Sequence, residues 1–210
     1  EEVKPWSYMK FPFLADLGPQ DGWYKVGPLA RLQNCDSIPT PLAEAERCEL
    51  IEHGQGKVIH APLAYHWARM IEMLHAAETL RDLLHDDDLS GSELVTSGAR
   101  QREGVGVIEA PRGTLIHHYR VGEDDLVTMC NLIVSTTHNN QAMNEAIRRV
   151  ARRYLNGRQL DEGLLNHIEA AIRCFDPCLY CATHALGKMP LQLELIAATG
   201  QPLERLAART

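Results

Sequence analysis

The chain lacks a run of apolar residues approaching the ~18 to 20 needed to cross a bilayer as a helix, so no membrane span is expected. It also lacks a basic excess. Lys and Arg number 21 against 28 Asp and Glu, for a net charge of −7, which argues against a nucleic-acid binder because phosphate neutralisation needs a cationic surface. Six cysteines in 210 residues are too sparse for a small disulfide-stapled fold. No signal peptide is expected from the opening Glu1-Glu2-Val3-Lys4, which is acidic and without a methionine. That start suggests a chain beginning inside a longer protein. Internal repeats and low-complexity tracts are absent as well. What is present is ordinary for a soluble globular protein: 45% hydrophobic and 23% charged residues. The cysteines are unevenly placed. Cys35, Cys48 and Cys130 stand alone, while Cys174, Cys178 and Cys181 cluster. An intracellular protein with a metal or redox cluster fits this pattern.

Residues 1–62 are punctuated by Pro and Gly every few positions yet rich in aromatics, including Trp6, Tyr8, Phe11, Phe13, Trp23 and Tyr24. Irregular chain laid over a core is expected there, with one helix around Pro41 to Ile51. Pro62 suits a first helical turn, and Trp67, Met70, Ile71, Leu74, Ala77, Leu80, Leu83 and Leu84 recur at helical spacing up to Asp86. Asp86-Asp87-Asp88 reads as a hydrophilic turn, since the ligand spacing of a calcium loop does not follow. From Ser97 to Val134 the pattern is β. Val105 to Ile108 suits a short strand, and Gly113 to Val121 and Leu126 to Val134 suit a hairpin around Gly122 to Asp125. His117 and His118 would point to opposite faces of a strand and so make no metal pair.

The polar segment Ser135 to Asn140 is expected to cap the next helix or to present hydroxyls to a ligand. That helix carries Met143, Ala146, Ile147, Val150 and Tyr154 on one face and Arg148, Arg149, Arg152 and Arg153 largely on the other, a pattern that suits a solvated face. A further helix starts at Asp161, buries Leu164, Leu165, Ile168, Ala171, Ile172 and Phe175, and delivers the Asp176-Pro177-Cys178 loop. Pro177 bars Asp176 from continuing the helix. The fold class expected is α+β and mainly helical: long core helices with a β-hairpin and irregular segments.

Cys178, Cys181 and His184 recur every third position, so two sulfurs can reach one metal with an imidazole nearby. Three chemistries fit. A structural zinc site would add a fourth ligand such as Cys174, although such sites usually show two ligand pairs. A thiol–disulfide pair normally opens a helix after a strand, whereas here a helix precedes it. Thiolates also suit nickel, iron or iron–sulfur centres, with the missing ligands supplied from elsewhere. Upstream, Glu109-Ala110-Pro111-Arg112-Gly113 confines an arginine between proline and glycine, which limits its backbone freedom.

Asp176-Pro177-Cys178-x-x-Cys181-x-x-His184, following a helix and followed by a short tail, resembles the C-terminal motif of nickel–iron hydrogenase large subunits. Tyr8 to Phe13, Tyr24 to Leu32 and Glu109 to Thr114 also resemble segments of that family, in the right order. The cytoplasmic, NAD-reducing bidirectional branch is most similar, with the heterodisulfide-reductase-linked type close behind. The resemblance implies reversible oxidation of H2 at a nickel–iron centre whose iron carries carbon monoxide and cyanide. Cys178 would be a terminal thiolate on nickel, Cys181 would bridge nickel and iron, and His184 would bind magnesium. Arg112 would hang over the open metal position, with Pro111 and Asp176 around it and Asp176 holding its guanidinium. Ser135 or Thr136 would donate to a cyanide.

The resemblance also implies partners: a small subunit with iron–sulfur clusters, diaphorase subunits with flavin and NAD, nickel-insertion proteins, and a maturation endopeptidase. The endopeptidase would cut after His184. Residues 1–184 would then be the C-terminal part of the large-subunit domain, and 185–210 a removable extension. One departure stands out. The family draws two further nickel cysteines and a proton-relay glutamate from a C-G-x-C half, and no C-x-x-C precedes Cys178 here. The chain therefore resembles a fragment that would be inactive alone. A non-catalytic zinc-binding or scaffold module is the alternative of another class.

Overall fold

The structure is a computed structural model, and it describes residues 10–155, 157, 159–178 and 191–207. The chain divides into two compact units, one formed by residues 26–133 and the other by 1–25 with 134–210.

In the unit of residues 26–133, helices α2 (Pro28–Asn34) and α3 (Pro41–His53) pack on the long helix α4 (Ala64–Leu83). In the other unit a short helix, α1 (Gly18–Asp21), precedes them in sequence. Among the described residues, the proline-rich first third therefore holds three α-helices rather than one. Pro19, Pro28 and Pro41 sit in the first turn of their helices, where a missing N–H costs nothing and φ is already helical. These prolines start helices instead of breaking them.

The core of this unit is Val26, Leu29, Leu32, Ile38, Ala43, Leu50, Tyr65, Ala68 and Ile71. Helix α3 is capped from another helix. Thr40 precedes it without capping, its hydroxyl lying 2.8 Å from Nδ1 of His75. The N–H groups of Leu42 and Ala43 instead donate to the buried Glu78 carboxylate of α4, at 3.2 and 3.0 Å. Two orphan donors of a helix start are thereby satisfied across an interhelical contact. The apolar periodicity of α4 selects a different face from the one expected. Tyr65, Ala68 and Ile71 are buried, whereas Met70, Leu80, Leu83 and Leu84 are exposed. The helix is apolar around most of its circumference, so spacing alone does not choose the core side.

The same unit contains one antiparallel sheet in the order β1 (Glu103–Ala110), β2 (Gly113–Val121), β3 (Val127–Ile133). Residues 91–101 form no regular element, so the β region starts later than Ser97. The segment read as a short strand is a full partner of β2, registered from Glu103 with Arg120 to Ala110 with Gly113. Pro111 and Arg112 are consequently the two-residue turn of a hairpin.

In the other unit, α5 (Ser135–His138) leads into α6 (Asn140–Tyr154), which packs on α7 (Glu162–Cys174). Asp161, expected to start this helix, is its N-cap and accepts from the Leu164 N–H at 2.6 Å. Ala142, Met143 and Ala146 meet Leu164, Leu165, Ile168 and Ala171 in the core, and Tyr154 stacks on His167. A second antiparallel hairpin, β4 (Gln192–Ile196) with β5 (Pro202–Ala207), lies after the cysteine cluster. Its Glu204 accepts the Leu160 N–H, ahead of α7, at 2.6 Å.

Candidate metal centre

Helix α7 ends at Cys174, and Phe175 continues in helical conformation as its C-cap. Asp176 then takes φ +48°. A left-handed conformation is uncommon for a side chain other than glycine, though Asp tolerates it better than most. The residue before a proline normally relaxes to an extended conformation, so the turn is held by its surroundings. Part of that hold is visible: the Cys178 N–H donates to the Thr136 hydroxyl at 2.9 Å.

Thr136 belongs to a run of buried polar residues. Ser135, Thr136, Thr137, His138 and Asn139 all lie within the core, none more than 7% exposed. The capping function allowed for this segment is not found, since no side-chain cap bond is made at the start of α5 or α6. Burying five polar side chains in succession is costly unless they are hydrogen-bonded, so the run marks a built site. His138 illustrates it. Its Nδ1 lies 2.7 Å from the Tyr24 hydroxyl, and burial pushes the Tyr24 phenol above its ordinary value. Sequence reasoning gave neither Tyr24 nor His138 a role. The available signal was a histidine embedded in a short polar stretch between an apolar strand and an amphipathic helix.

Arg112 lies in the other unit and is exposed at the tip of the β1–β2 hairpin, beside the exposed Pro111. Two glycines let this turn dock closely on the chain entering α2. Gly27, at φ +104°, brings its α-carbon so close to Arg112 that a Cβ there would stand 2.8 Å from the Arg112 carbonyl oxygen. A Cβ on Gly113, at φ +135°, would stand 2.9 Å from the Gly27 nitrogen. Only glycine meets both demands, the positive φ and the missing volume.

Arg31 of α2 grips the same turn. Its Nε and Nη2 donate to the two Glu72 oxygens at 2.7 Å each. Nη1 donates to Glu109 Oε2 at 2.9 Å and to the Ala110 carbonyl at 2.8 Å, and Nη2 also donates to the Pro111 carbonyl at 3.1 Å. Arg31 lies within the family-like segment Tyr24 to Leu32, where spacing alone gives it no part in the site.

Cys181 and His184 lie outside the described residues, as does most of the cysteine loop. Cys174 does not join Cys178 as a ligand: it is 1% exposed and its thiol donates back to the Ala170 carbonyl of its own helix. Among the described residues no group of three or more His, Cys, Asp or Glu is placed to hold a metal ion. Cys178 binds a metal as the thiolate. The donor chemistry nonetheless fits a soft metal. Cys178 is half-buried on a turn whose backbone is pinned by Thr136, and thiolates suit nickel and iron. One described donor cannot complete such a centre. No helix among the described residues is long and apolar enough to cross a membrane.

A pinned cysteine turn in a mixed helical and sheet chain places the protein among candidate thiolate metalloproteins. Comparison narrows the class: residues 3–184 match the nickel-dependent hydrogenase family model, and the chain belongs to that family. It is 49% identical, over 99% of its length and 43% of the relative's, to the NAD-reducing hydrogenase HoxS subunit beta of Cupriavidus necator. Identity to an F420-non-reducing hydrogenase subunit of Methanothermobacter marburgensis is 43%, over 98% of this chain and 44% of that one. Among solved structures, an NAD+-reducing [NiFe]-hydrogenase in the H2-reduced state superposes with a TM-score of 0.80 at 63% identity, covering 87% of this chain and 40% of the other. The chain thus spans less than half the length of these relatives.

Proposed function

We propose that this chain forms part of the catalytic subunit of a nickel–iron hydrogenase that oxidises H2 reversibly to protons and electrons, coupled to NAD. The observation that carries the reading is the Thr136–Cys178 hydrogen bond, which braces the Asp176-Pro177-Cys178 turn within the matched family segment. Cys178 and Cys181 would ligate nickel, with Cys181 shared with iron, and His184 would hold magnesium. The bound metals, with carbon monoxide and cyanide on iron, would supply the redox chemistry. Thr136 has one hydroxyl proton left to donate after accepting the Cys178 N–H. Ser135 carries a hydroxyl proton as well, and either Ser135 or Thr136 would donate to a cyanide.

Arg112 would present a fixed positive charge towards H2, with Pro111 shaping its turn and Asp176 holding the guanidinium by a charge-assisted hydrogen bond. The partner set would comprise a small subunit with iron–sulfur clusters and diaphorase subunits with flavin. The names of the Cupriavidus relative and of the solved NAD+-reducing enzyme support NAD as acceptor. The likeness to the F420-non-reducing enzyme supports a second reading, in which electrons leave towards a heterodisulfide reductase. The family match ends at His184, which supports an endopeptidase cut there and a role in maturation for Ala185 to Thr210.

The test is metal analysis and infrared spectroscopy of the full-length subunit, purified with its partner after co-expression with nickel-insertion proteins. One nickel per subunit with carbonyl and cyanide bands is expected. Stoichiometric zinc without those bands would overturn the proposal in favour of a zinc-binding or scaffold module. Reduction of NAD by H2 in the whole complex separates the two electron acceptors.

A further inference from the structure

We propose that Arg31 is a positioning residue for Arg112, a role that rests on the reading of Arg112 given above. A guanidinium has five N–H donors in a rigid planar fork. All five of those of Arg31 have acceptors: two on Glu72, one on Glu109, and the carbonyls of Ala110 and Pro111. The two carbonyls are those of the residues immediately before Arg112. Glu72 anchors the fork to α4, and Glu109 is held on its other oxygen by the Thr114 hydroxyl across the hairpin.

The contact is specific to arginine. A lysine offers three donors from a single nitrogen and cannot span a bidentate carboxylate and two consecutive carbonyls. Pro111 has a negative φ, and Arg112 is not among the residues in the left-handed region. The turn is therefore not of the primed type that matches strand twist in two-residue hairpins. Gly113 takes the positive φ instead. Arg31 ties this turn to two helices and fixes the direction in which Arg112 leaves it.

The experiment uses the full-length subunit in its complex and compares Arg31→Lys, Arg112→Lys and the double variant. Arg31→Lys is expected to keep nickel and the infrared bands while lowering H2 oxidation by about ten- to a hundred-fold, the scale of a small misplacement. Hydrogen exchange at the Arg112 and Gly113 amides should quicken in the same variant, with exchange in α7 unchanged. In the Arg112→Lys background the Arg31 change should add less than about two-fold, because neighbours acting through one group are non-additive. Unaltered exchange in the turn overturns the clamp whatever Arg112→Lys does, and so do losses that multiply in the double variant. Full turnover in Arg112→Lys instead overturns the reading of Arg112, and with it the purpose assigned to the clamp. Should Arg31→Lys fail to assemble, Glu109→Gln removes one charged acceptor while keeping the shape. It should give the same exchange pattern at smaller amplitude, and its absence there counts against the proposal.

Discussion

Cys178 donates its backbone N–H to the Thr136 hydroxyl at 2.9 Å, across 42 residues of chain. The bond ties the end of the α7 loop to a short buried polar helix. It is one visible part of what holds a left-handed Asp176 before a proline, and it engages one member of a run of buried polar residues.

Thr136→Val keeps the volume and removes the acceptor. An N–H left without a partner costs about 1–3 kcal/mol. The nickel content of the purified full-length subunit should drop by roughly ten-fold, the equivalent of about 1.4 kcal/mol, while Thr136→Ser stays near wild type. Metal analysis of both variants checks this, and equal nickel in Val and Ser would mean that the bond does not organise the turn.

Nickel uptake should depend on reduction. Only a thiolate binds metal, and Cys178 and Cys181, three positions apart, can oxidise to a form that does not. Apo-protein held under oxidising conditions is expected to take up little nickel and to gain it after treatment with a thiol reductant. Uptake should also fall at acid pH as thiolates are protonated. Isothermal titration with nickel before and after reduction is the measurement.

Gly27→Ala should destabilise the chain more than Gly56→Ala. Both positions have positive φ, at +104° and +74°, so each substitution carries a backbone penalty of about 1–2 kcal/mol. Nothing lies within 4 Å of a Cβ at Gly56, whereas one at Gly27 meets the Arg112 carbonyl. Thermal unfolding should place the midpoint of Gly27→Ala several degrees below that of Gly56→Ala.

Acid should weaken the unit of residues 26–133 through Glu44 and Glu78. The Arg47 guanidinium and the Ile38 N–H hold the Glu44 carboxyl down to about 2. Burial alone would push Glu78 up, but hydrogen bonds from Ala43, Leu42 and Thr40 outweigh it and leave it below its ordinary value. Both folded-state values lie below the unfolded ones. The stability they contribute is therefore complete above the ordinary carboxylate value of 4.5 and lost as pH falls through each lowered value, which for Glu44 is about 2. The urea midpoint should decline steadily below pH 4.5, and Glu44→Gln should lower it at neutral pH while flattening its pH dependence. A midpoint independent of pH in the wild type would exclude this assignment.

The exposure of Met70, Leu80, Leu83 and Leu84 shows where local pattern stops being informative. The helical period of α4 was legible because it repeats within a few residues. Its core face was not, because apolar residues occupy several faces and only the packed neighbours decide among them. The same holds for prolines, which read as breaks until their place at helix starts is seen.

By itself the sequence determined the family, the Asp-Pro-Cys turn after α7, the helix start at Asp161 and the glycine-bounded Arg112. Each rests on local constraints: a fixed φ, a missing N–H, a side chain reaching its own backbone three residues on. Tertiary structure decided that Thr136 accepts from Cys178, that Glu78 caps α3, and that Arg31 grips the turn before Arg112. Those bonds join groups that lie 35 to 80 residues apart. No periodicity specifies such pairs, because they form only when separate elements pack and bring buried donors to the acceptors that satisfy them.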